Sequence, residues 1–452
     1  MPDAPSLPRP RQTRWGTLRC AWLEGDARMP EKVDVAVIGG GILGVTIARE
    51  LALAGKSVAV LEKAEIGCEA SSRAFGWISE LLVGNVKQEM TQLGKRLWPE
   101  LHAACGETGY RRGGIAYFAR NADEMGFYEG WLADAAGHLA PDTRLLGPDE
   151  VAARYPGAAS RFAGALFAPS DASAEPTIAT AAIAASARAA GAAIVTGCSV
   201  RAIDSQAGAV RGLHTSKGYL GCEQVVVAAN AWSRLFLGRH GVDVPQLYVL
   251  MSMGRTGAVA GGPVGAGGTE AWAFRECIDG SYDLGGVAGV RGPVTRDALR
   301  LYRRFKPIME MMGGAKPDFG RDALRDLSWR RRWKDAGPAP FDEVVLAGRT
   351  DTSVAAASLR DNAGEFAALG ATGVAETWSG AIAMAPDNNP IVGPVAQLPG
   401  VWLATACSYG IGWAPAIGAA LGAALQGKPA PMDLAPFRLE RFFDGSALEM
   451  SH

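Results

Sequence analysis

The sequence predicts an α/β protein in which a Rossmann-like domain carries an inserted mixed-sheet domain. Three observations lead to this class. A β-branched run at 33–38 passes through a glycine-rich turn into a helical pattern at 42–54. Residues 241–375 are richer in polar, glycine-rich and aromatic stretches, and the alternation of strand and helix resumes after residue 385. We therefore expect a discontinuous nucleotide-binding domain interrupted by a second domain.

The elements of the first domain follow from hydrophobic spacing and from helix stops. Gly55 ends the first helix, and a second strand at 57–61 is closed by Glu62, which completes a βαβ unit. Further on we predict a helix at 176–190, strands at 193–195, 200–203, 210–213 and 224–229, a turn at 386–390, a strand at 401–404 and a helix at 414–425.

These elements give a division of the chain. We assign 1–31 to an N-terminal extension and 436–452 to a C-terminal tail. The nucleotide-binding domain comprises 32–90, 170–240 and 376–435, and the substrate domain comprises 91–169 and 241–375.

Composition excludes several classes of protein. The 452 residues include 45 basic and 46 acidic side chains, a net charge of −1, which argues against nucleic acid or an anionic membrane as the main partner. The seven cysteines are scattered without a Cys-x-x-Cys pair, and the five histidines lack ligand spacing, so we expect neither disulfides nor a metal site. No stretch reads as a secretory signal or a membrane span, and we expect a cytoplasmic protein.

The glycine-rich turn carries the clearest chemical signal. Gly39-x-Gly41-x-x-Gly44 follows a strand and opens a helix, and Glu62 stands about twenty residues further on. Gly39 permits the tight turn, Gly41 lets a pyrophosphate approach the positive end of the helix, and Gly44 lets the helix lie close to the strand. A carboxylate at Glu62 would accept hydrogen bonds from a ribose and repel a 2′-phosphate, which leaves NAD or FAD as the ligand.

The segments beyond this turn resemble, in order along nearly the whole chain, those of FAD-dependent oxidoreductases of the D-amino acid oxidase family. That family includes glycine and sarcosine oxidases and D-amino acid dehydrogenases. The matching segments are 66–77 (IGCEASSRAFGW), 164–171 (GALFAPSD), 225–233 (VVVAANAWS), 378–393 (WSGAIAMAPDNNPIVG) and 436–442 (PFRLERF). The resemblance implies an FAD-binding domain of the glutathione-reductase type with an inserted mixed-sheet substrate domain.

The resemblance also implies which residues hold the cofactor. The residues expected near the ADP half and the pyrophosphate are Gly39, Gly41, Ile42, Leu43, Gly44, Glu62, Lys63, Ser71, Ser72, Arg73 and Val200. Those expected near the flavin are Phe75, Gly76, Trp77, Tyr409, Gly410, Ile411 and Gly412. We expect non-covalent FAD. Attachment through Cys407 is the alternative, because some sarcosine oxidase-type relatives use a cysteine in this region, although Cys407 does not stand in their motif.

The substrate side departs from the family pattern. Members that act on small α-amino acids often carry an Arg shortly after the "W.G" motif to hold the carboxylate, whereas the stretch 380–383 (GAIA) is uncharged here. A carboxylate would need another cation, or the substrate lacks one. Candidates for the substrate pocket are Arg275, Tyr282, Arg255, Tyr409 and Trp77. Single arginines are more often structural, and the aromatic residues serve equally well as core or as a pocket for an apolar or cationic amine.

The functional hypothesis is an FAD-dependent enzyme that oxidises the C–N bond of an amino acid or amine. Hydride would pass to flavin N5, and the imine would be hydrolysed. The electron acceptor is oxygen, a quinone or a partner protein, and an oligomer is compatible with the sequence. No residue is assigned as a catalytic acid or base. Two alternatives are an auxiliary flavoprotein subunit of a larger dehydrogenase complex and an NAD-dependent dehydrogenase.

Overall fold

The computed structural model describes residues 11–12, 18–286, 290–311, 315–342, 344–346 and 350–450. Its strands, in chain order, are β1 Arg11–Gln12, β2 Arg19–Cys20, β3 Lys32–Ile38, β4 Val58–Leu61, β5 Trp77–Ile78, β6 Ile115–Ala119, β7 Arg144–Leu146, β8 Gly164–Ala168, β9 Ala172–Ser173, β10 Ala193–Val195, β11 Val200–Gln206, β12 Ala209–Thr215, β13 Gly218–Val227, β14 Leu247–Thr256, β15 Ala266–Gly268, β16 Ala273–Glu276, β17 Tyr282–Gly285, β18 Arg291–Pro293, β19 Lys316–Asp318, β20 Val374–Met384, β21 Ile391–Pro394 and β22 Val401–Thr405.

The helices, again in chain order, are α1 Ile42–Leu53, α2 Ala70–Arg73, α3 Gln88–Cys105, α4 Ala122–Ala135, α5 Pro148–Arg154, α6 Pro176–Ala189, α7 Ser233–Arg239, α8 Arg296–Met311, α9 Arg321–Ser328, α10 Thr352–Glu365 and α11 Gly410–Ala424. Short 3-10 helices lie at Asn85–Lys87, Asn230–Trp232, Ala367–Gly370, Ala435–Phe437 and Leu439–Phe442. Of the helices described, none combines the length and the apolar character needed to cross a bilayer.

The first sheet is the Rossmann-like sheet that the sequence predicts. Strands β10, β4, β3, β13 and β22 lie side by side and pair in parallel. The β21 strand adds an antiparallel edge on β22, and β11 and β12 extend from β13 as an antiparallel meander. β4 is buried along its whole length and β3 along most of it, as expected for parallel strands that are covered on both faces. The helices and strands predicted in this part of the chain are present.

Four helices cover one face of this sheet and set the position of the glycine-rich turn. Helix α1 packs between α6 and α11, and α3 packs on α11. They share one apolar core with the inner faces of β3 and β4, in which Val45, Ile47, Trp98, Ile183 and Ile417 are almost fully buried. Because α1 follows β3 and α11 follows β22, and both strands run parallel to β13, the starts of the two helices lie at the same edge of the sheet.

The second sheet is mixed, as expected for the inserted domain. Its order is β19-β18-β14-β17-β16-β15-β6-β8-β7, with β20 paired along β14. The β15–β6 and β18–β19 pairs are parallel and the others are antiparallel. The structure places residues 376–384 in this sheet, although the sequence assigned them to the nucleotide-binding domain, because β20 pairs with β14 over nearly all of its length. The domain boundaries themselves stay a prediction.

The N-terminal segment covers the junction between the two sheets. Its backbone bonds to the start of α6 and to β10 of the first sheet. Leu18 and Cys20 are buried with Met253 of β14 and Trp378 of β20, and Phe75 packs against this cluster. The part of the predicted N-terminal extension that is described, 11–12 and 18–31, therefore includes residues packed beside the site; the rest of 1–31 lies outside the described residues.

Candidate functional site

The strand–turn–helix unit has the geometry that the glycine spacing predicts. Gly39 has a φ of 110°, which favours glycine. A Cβ atom on Gly44 would lie 2.0 Å from the carbonyl oxygen of Gly39, so α1 can approach β3 only without a side chain there. Gly41 is the N-cap of α1, and a Cβ atom on it would meet only Ser71 Oγ, at 3.1 Å. The space beside Gly41 at the positive end of α1 is therefore open to an anionic ligand.

The end of β4 presents a carboxylate beside this turn. Glu62 Oε2 accepts a hydrogen bond from Gly40 N at 2.7 Å, and its Oε1 accepts one from Ala64 N at 2.8 Å. Burial raises the pKa of Glu62, and the neighbouring Lys63 opposes that rise. Because each carboxylate oxygen has a second acceptor site, Glu62 keeps acceptor capacity for a ligand hydroxyl.

The short helix α2 lines the next part of the site. Ser71 Oγ accepts a hydrogen bond from Ile42 N at 2.9 Å, which ties α2 to the first turn of α1. The Arg73 guanidinium donates to the backbone carbonyls of Cys68 and Glu69. Trp378 Nε1 donates to Arg73 O at 3.2 Å and connects α2 to the second sheet.

A single large cavity connects these features. It encloses about 1510 Å³ of space, including solvent at its mouth. The predicted cofactor residues that line it are Gly39, Gly41, Ile42, Leu43, Glu62, Lys63, Ser71, Arg73, Phe75, Val200, Gly410 and Ile411. The predicted cofactor residues that do not line it are Gly44, Ser72, Gly76, Trp77, Tyr409 and Gly412. The roles of both groups stay predictions.

The far end of the main cavity is formed by the start of α11, which begins four residues before the predicted position. Helix α11 begins at Gly410, and its first turn lies against the cavity. Pro415 lacks an N–H to bond the carbonyl oxygen of Ile411, and Trp98 Nε1 donates to that oxygen instead, at 2.9 Å. The early start is thus compatible with the internal proline, and it presents the N–H groups of the first turn at the site.

Several cavity residues were not predicted. Met251 and Met253 on β14, Gly380 to Ala383 on β20, and Ser408 form much of the uncharged part of the wall. Phe341 lines the cavity from a loop of the inserted region. The 378–393 segment resembles the family pattern, but the β14–β20 pairing that brings part of it into one wall with Met251 and Met253 cannot be predicted from that resemblance.

The thiol of Cys407 also lies in the wall of the main cavity. It is only partly buried, whereas the other six cysteines are buried, and all seven are free. Burial raises the pKa of the Cys407 thiol, and its Sγ donates to Thr405 O at 3.4 Å. A protonated thiol is a poor nucleophile, which agrees with the prediction of non-covalent FAD.

None of the five substrate-pocket candidates lines the main cavity, and three of them are engaged in contacts elsewhere. Arg275 is fully buried and donates to both oxygens of Glu175, at 2.8 and 3.1 Å, and to Asp283. Arg255 Nε donates to Asp283 Oδ1 at 2.6 Å. Tyr282 is buried and donates to Pro263 O at 3.0 Å. The two guanidinium groups are thus balanced by the two carboxylates that they contact.

The two aromatic candidates, Trp77 and Tyr409, lie in one region, because Tyr117 packs against Trp77 and lines the same cavity as Tyr409. Trp77 packs edge-on against Phe75 and Tyr117, with ring centroids 5.1 and 5.7 Å apart. Tyr409 packs on Trp413 at 5.4 Å. Tyr117 and Tyr409 both line a second cavity, which encloses about 550 Å³ of space, including solvent at its mouth, and shares Ser408 with the main cavity.

Comparison with known proteins supports the same reading of the chain. A family model described as FAD dependent oxidoreductase matches residues 34–424. The chain is 27% identical over 401 residues to 4-methylaminobutanoate oxidase (formaldehyde-forming) of Paenarthrobacter nicotinovorans, covering 86% of this chain and 43% of that protein. It is 33% identical over 224 residues to glycine oxidase of Bacillus licheniformis, covering 48% of this chain and 58% of that protein. The chain thus spans about half the length of these curated relatives.

One solved structure matches the chain over nearly the full length of both proteins. L-amino acid deaminase from Proteus vulgaris matches with a TM-score of 0.89 at 30% identity, over 93% of this chain and 100% of that chain. The fold and the cavity define a dinucleotide-binding α/β protein with a mixed-sheet second lobe. The chain belongs to the FAD-dependent oxidoreductase family. The open Gly41 turn, the Glu62 carboxylate and the start of α11 fit FAD, and FAD rather than NAD is its cofactor.

Proposed function

We propose that the chain oxidises the C–N bond of a small amine or amino acid, giving an imine that water hydrolyses to a carbonyl compound and an amine. The observation that carries the proposal is the main cavity, which continues from the Gly41 turn to an uncharged wall on β14 and β20. The names of the relatives support the same chemistry, since glycine oxidase, 4-methylaminobutanoate oxidase and L-amino acid deaminase all denote reactions of nitrogen-bearing compounds.

The residues of the chain would hold and orient the reactants. Gly41 and the first turn of α1 would hold the pyrophosphate, and Glu62 would accept hydrogen bonds from the ribose. The first-turn N–H groups of α11, at Gly410 and Ile411, would stabilise negative charge at the opposite end of the cavity. When bound, FAD supplies the acceptor for the hydride that leaves the substrate carbon.

The uncharged wall would bind the substrate and exclude water. Met251, Met253 and Ala381 present methyl and thioether groups to the cavity. A dry pocket favours the neutral form of an amine over its ammonium form, because burial disfavours the charged species. An amine that is bound neutral needs no general base for the oxidation step. We also propose a reducing compartment such as the cytoplasm, because all seven cysteines are free.

The test is the absorbance spectrum of the purified protein, followed by anaerobic titration. The panel comprises D-amino acids, L-amino acids, N-methyl amino acids, cyclic imino acids and plain amines. We expect a yellow protein whose visible absorbance is bleached by at least one of these classes. Admission of oxygen, or of a soluble quinone under anaerobic conditions, then identifies the acceptor that restores the absorbance.

Dithionite reduction is the control, because it bleaches any bound flavin regardless of substrate. A yellow protein that dithionite reduces and that no amine or amino acid reduces would contradict the proposal. It would favour the alternative of an auxiliary flavoprotein subunit. A colourless protein that binds neither added FAD nor an amine would contradict both the proposed oxidation and the auxiliary-subunit alternative.

A further inference from the structure

A segment of the inserted region reaches one end of the main cavity. Residues 333–342 lie between α9 and α10 and belong to the predicted substrate domain. Within this segment, Phe341 is 5% exposed and lines the main cavity. Its ring centroid lies 5.8 Å from that of Trp232 and 6.4 Å from that of Phe236, two cavity residues that follow β13 of the first sheet. Two distant parts of the chain therefore build one aromatic wall.

This aromatic wall lies beside the carboxylate that follows β4. Lys63, the residue after Glu62, has its Nζ 4.5 Å from the centre of the Trp232 ring. A ribose bound by Glu62 would have its phosphates on the side of Gly41 and its base on the other side. The aromatic wall suits adenine, because a flat heteroaromatic ring packs favourably against other rings.

The segment is attached to β11 through one arginine. Arg201 Nη2 and Nε donate to Asp342 Oδ2 at 2.8 and 3.1 Å, and Arg201 Nη1 donates to Ala336 O at 3.0 Å. In the other direction, Trp333 Nε1 donates to Arg201 O at 2.8 Å. The side chains of Arg201 and Asp342 are 19% and 15% exposed, so solvent screens this ion pair only in part. The segment is thus tied to the strand that begins with the cavity residue Val200.

Two further side chains hold the chain before and after Phe341. Arg239 Nη2 at the end of α7 donates to Trp333 O at 3.2 Å. On the other side of Phe341, Lys63 Nζ donates to Val344 O. Phe341 is therefore fixed in place by contacts on both sides, and little ordering of its side chain is needed when a ligand binds.

We propose that residues 333–342 form a clasp over the adenosine end of FAD, in which Phe341 contacts the adenine ring and the Arg201–Asp342 pair fastens the segment. The inference needs only bound FAD and is independent of which amine is oxidised. A cofactor that is enclosed in this way can leave only when the clasp detaches. The clasp should therefore act mainly on the rate of FAD release.

The test measures that rate as the flavin-to-protein ratio after gel filtration at successive times following dilution of the loaded protein. We expect Phe341→Ala to accelerate release about 10- to 100-fold, because a contact between a base and an aromatic ring is lost. Asp342→Asn should accelerate it about 3- to 10-fold, because a charge-assisted hydrogen bond is weakened. The matched controls are Phe127→Ala, at an exposed aromatic residue, and Asp149→Asn, at an exposed ion pair, and both should release FAD at the wild-type rate.

The pairing of Arg201 with Asp342 gives a second readout. Arg201→Gln should accelerate release, and the double variant with Asp342→Asn should release FAD no faster than Arg201→Gln alone, since the two side chains act together. Multiplied effects in the double variant would contradict the fastening. The absorbance spectrum and the reduction potential of the bound flavin should be unchanged in Asp342→Asn, because the clasp lies at the adenosine end. A general loosening of the fold would alter both.

Hydrogen exchange locates the clasp directly and needs no variant. We expect the backbone amides of residues 333–342 to exchange more slowly in the FAD-loaded protein than in the apoprotein. Phe341→Ala should remove this protection, and circular dichroism shows whether that variant is folded. If it is not, Asp342→Asn and the exchange experiment on the wild type decide. Equal exchange of this segment with and without FAD would overturn the proposal, as would wild-type release of FAD from Asp342→Asn.

Discussion

At the scale of single residues, the glycines of the turn after β3 serve different purposes. Gly39 is required because its backbone conformation favours glycine, and Gly44 is required because α1 approaches β3 closely there. A side chain at either position would therefore disturb folding. Gly41 has an ordinary φ of −75°, and a Cβ atom there would contact only Ser71 Oγ. A larger side chain at Gly41 would extend into the main cavity, which makes this position the cleanest test of cofactor binding.

Gly41→Leu should fold and lose FAD. The leucine side chain would occupy the space in which the pyrophosphate is proposed to lie, and we expect the flavin-to-protein ratio after gel filtration to fall below about one tenth of the wild-type ratio, since 1.4 kcal/mol of lost affinity already gives a factor of ten. Gly126→Leu, at an exposed position of α4 with no atom within 4 Å of a Cβ, is the control. A Gly41→Leu protein that purifies fully yellow would contradict the pyrophosphate assignment.

The limits of sequence-based prediction are clearest at this scale. Gly39, Gly41 and Glu62 could be assigned because the chemistry requires them at fixed spacing in one βαβ unit. The partner of Arg275 could not, because Glu175 stands 100 residues away along the chain and only the tertiary structure brings the residue before α6 next to the second sheet. When the ion-pair partner of a charged residue cannot be predicted, the residue can be mistaken for a ligand-binding group although its charge is already neutralised.

At the scale of elements, the start of α11 depends on one tryptophan of α3. Trp98 is fully buried, and its Nε1 bonds the Ile411 carbonyl oxygen that Pro415 leaves without a helical partner. This contact connects two helices whose order in the sequence gives no indication that they meet. The helix start predicted at Ala414 was based on helix-forming residues and left out the glycine-rich first turn. The donor that replaces the missing Pro415 N–H is Trp98, which lies on another helix and cannot be predicted from the local sequence.

Trp98→Phe should weaken this arrangement. The Ile411 carbonyl oxygen would lose its donor inside the core, which costs about 1–3 kcal/mol of unfolding free energy. We also expect weaker FAD binding, because Ile411 and Gly410 line the main cavity. Chemical denaturation and flavin titration measure the two effects. Trp131→Phe, on α4 and only partly buried, serves for comparison, and equal losses in the two variants would remove the specific role of Trp98.

At the scale of the whole molecule, the Arg275 cluster joins the two sheets. Glu175 immediately precedes α6, which packs on the first sheet, whereas Arg275, Asp283 and Arg255 belong to the second sheet. Two guanidinium groups and two carboxylates balance one another in a buried site. Removal of one member leaves an uncompensated charge, which is more costly than the absence of the whole cluster.

Arg275→Met should therefore lower the unfolding free energy by about 3–5 kcal/mol. KM values for acidic and for neutral substrates should change alike, because Arg275 does not line either cavity. Arg161→Met, at an exposed ion pair, should have little effect. Thermal unfolding and steady-state kinetics give both quantities. A KM increase confined to acidic substrates, with normal stability, would restore Arg275 as the carboxylate anchor expected from the sequence.

The position of the main cavity between the two sheets links cofactor supply to the yield of folded protein. Its walls come from both sheets, with Gly41 on one side and Met251 on the other, so the prosthetic group would bridge the two halves of the molecule. A ligand that binds only the folded state adds about 2.7 kcal/mol at a free concentration of one hundred times Kd. We expect riboflavin starvation of the producing cells to lower the yield of intact protein and to increase its proteolysis. Vitamin supply would then limit how much chain reaches its native state.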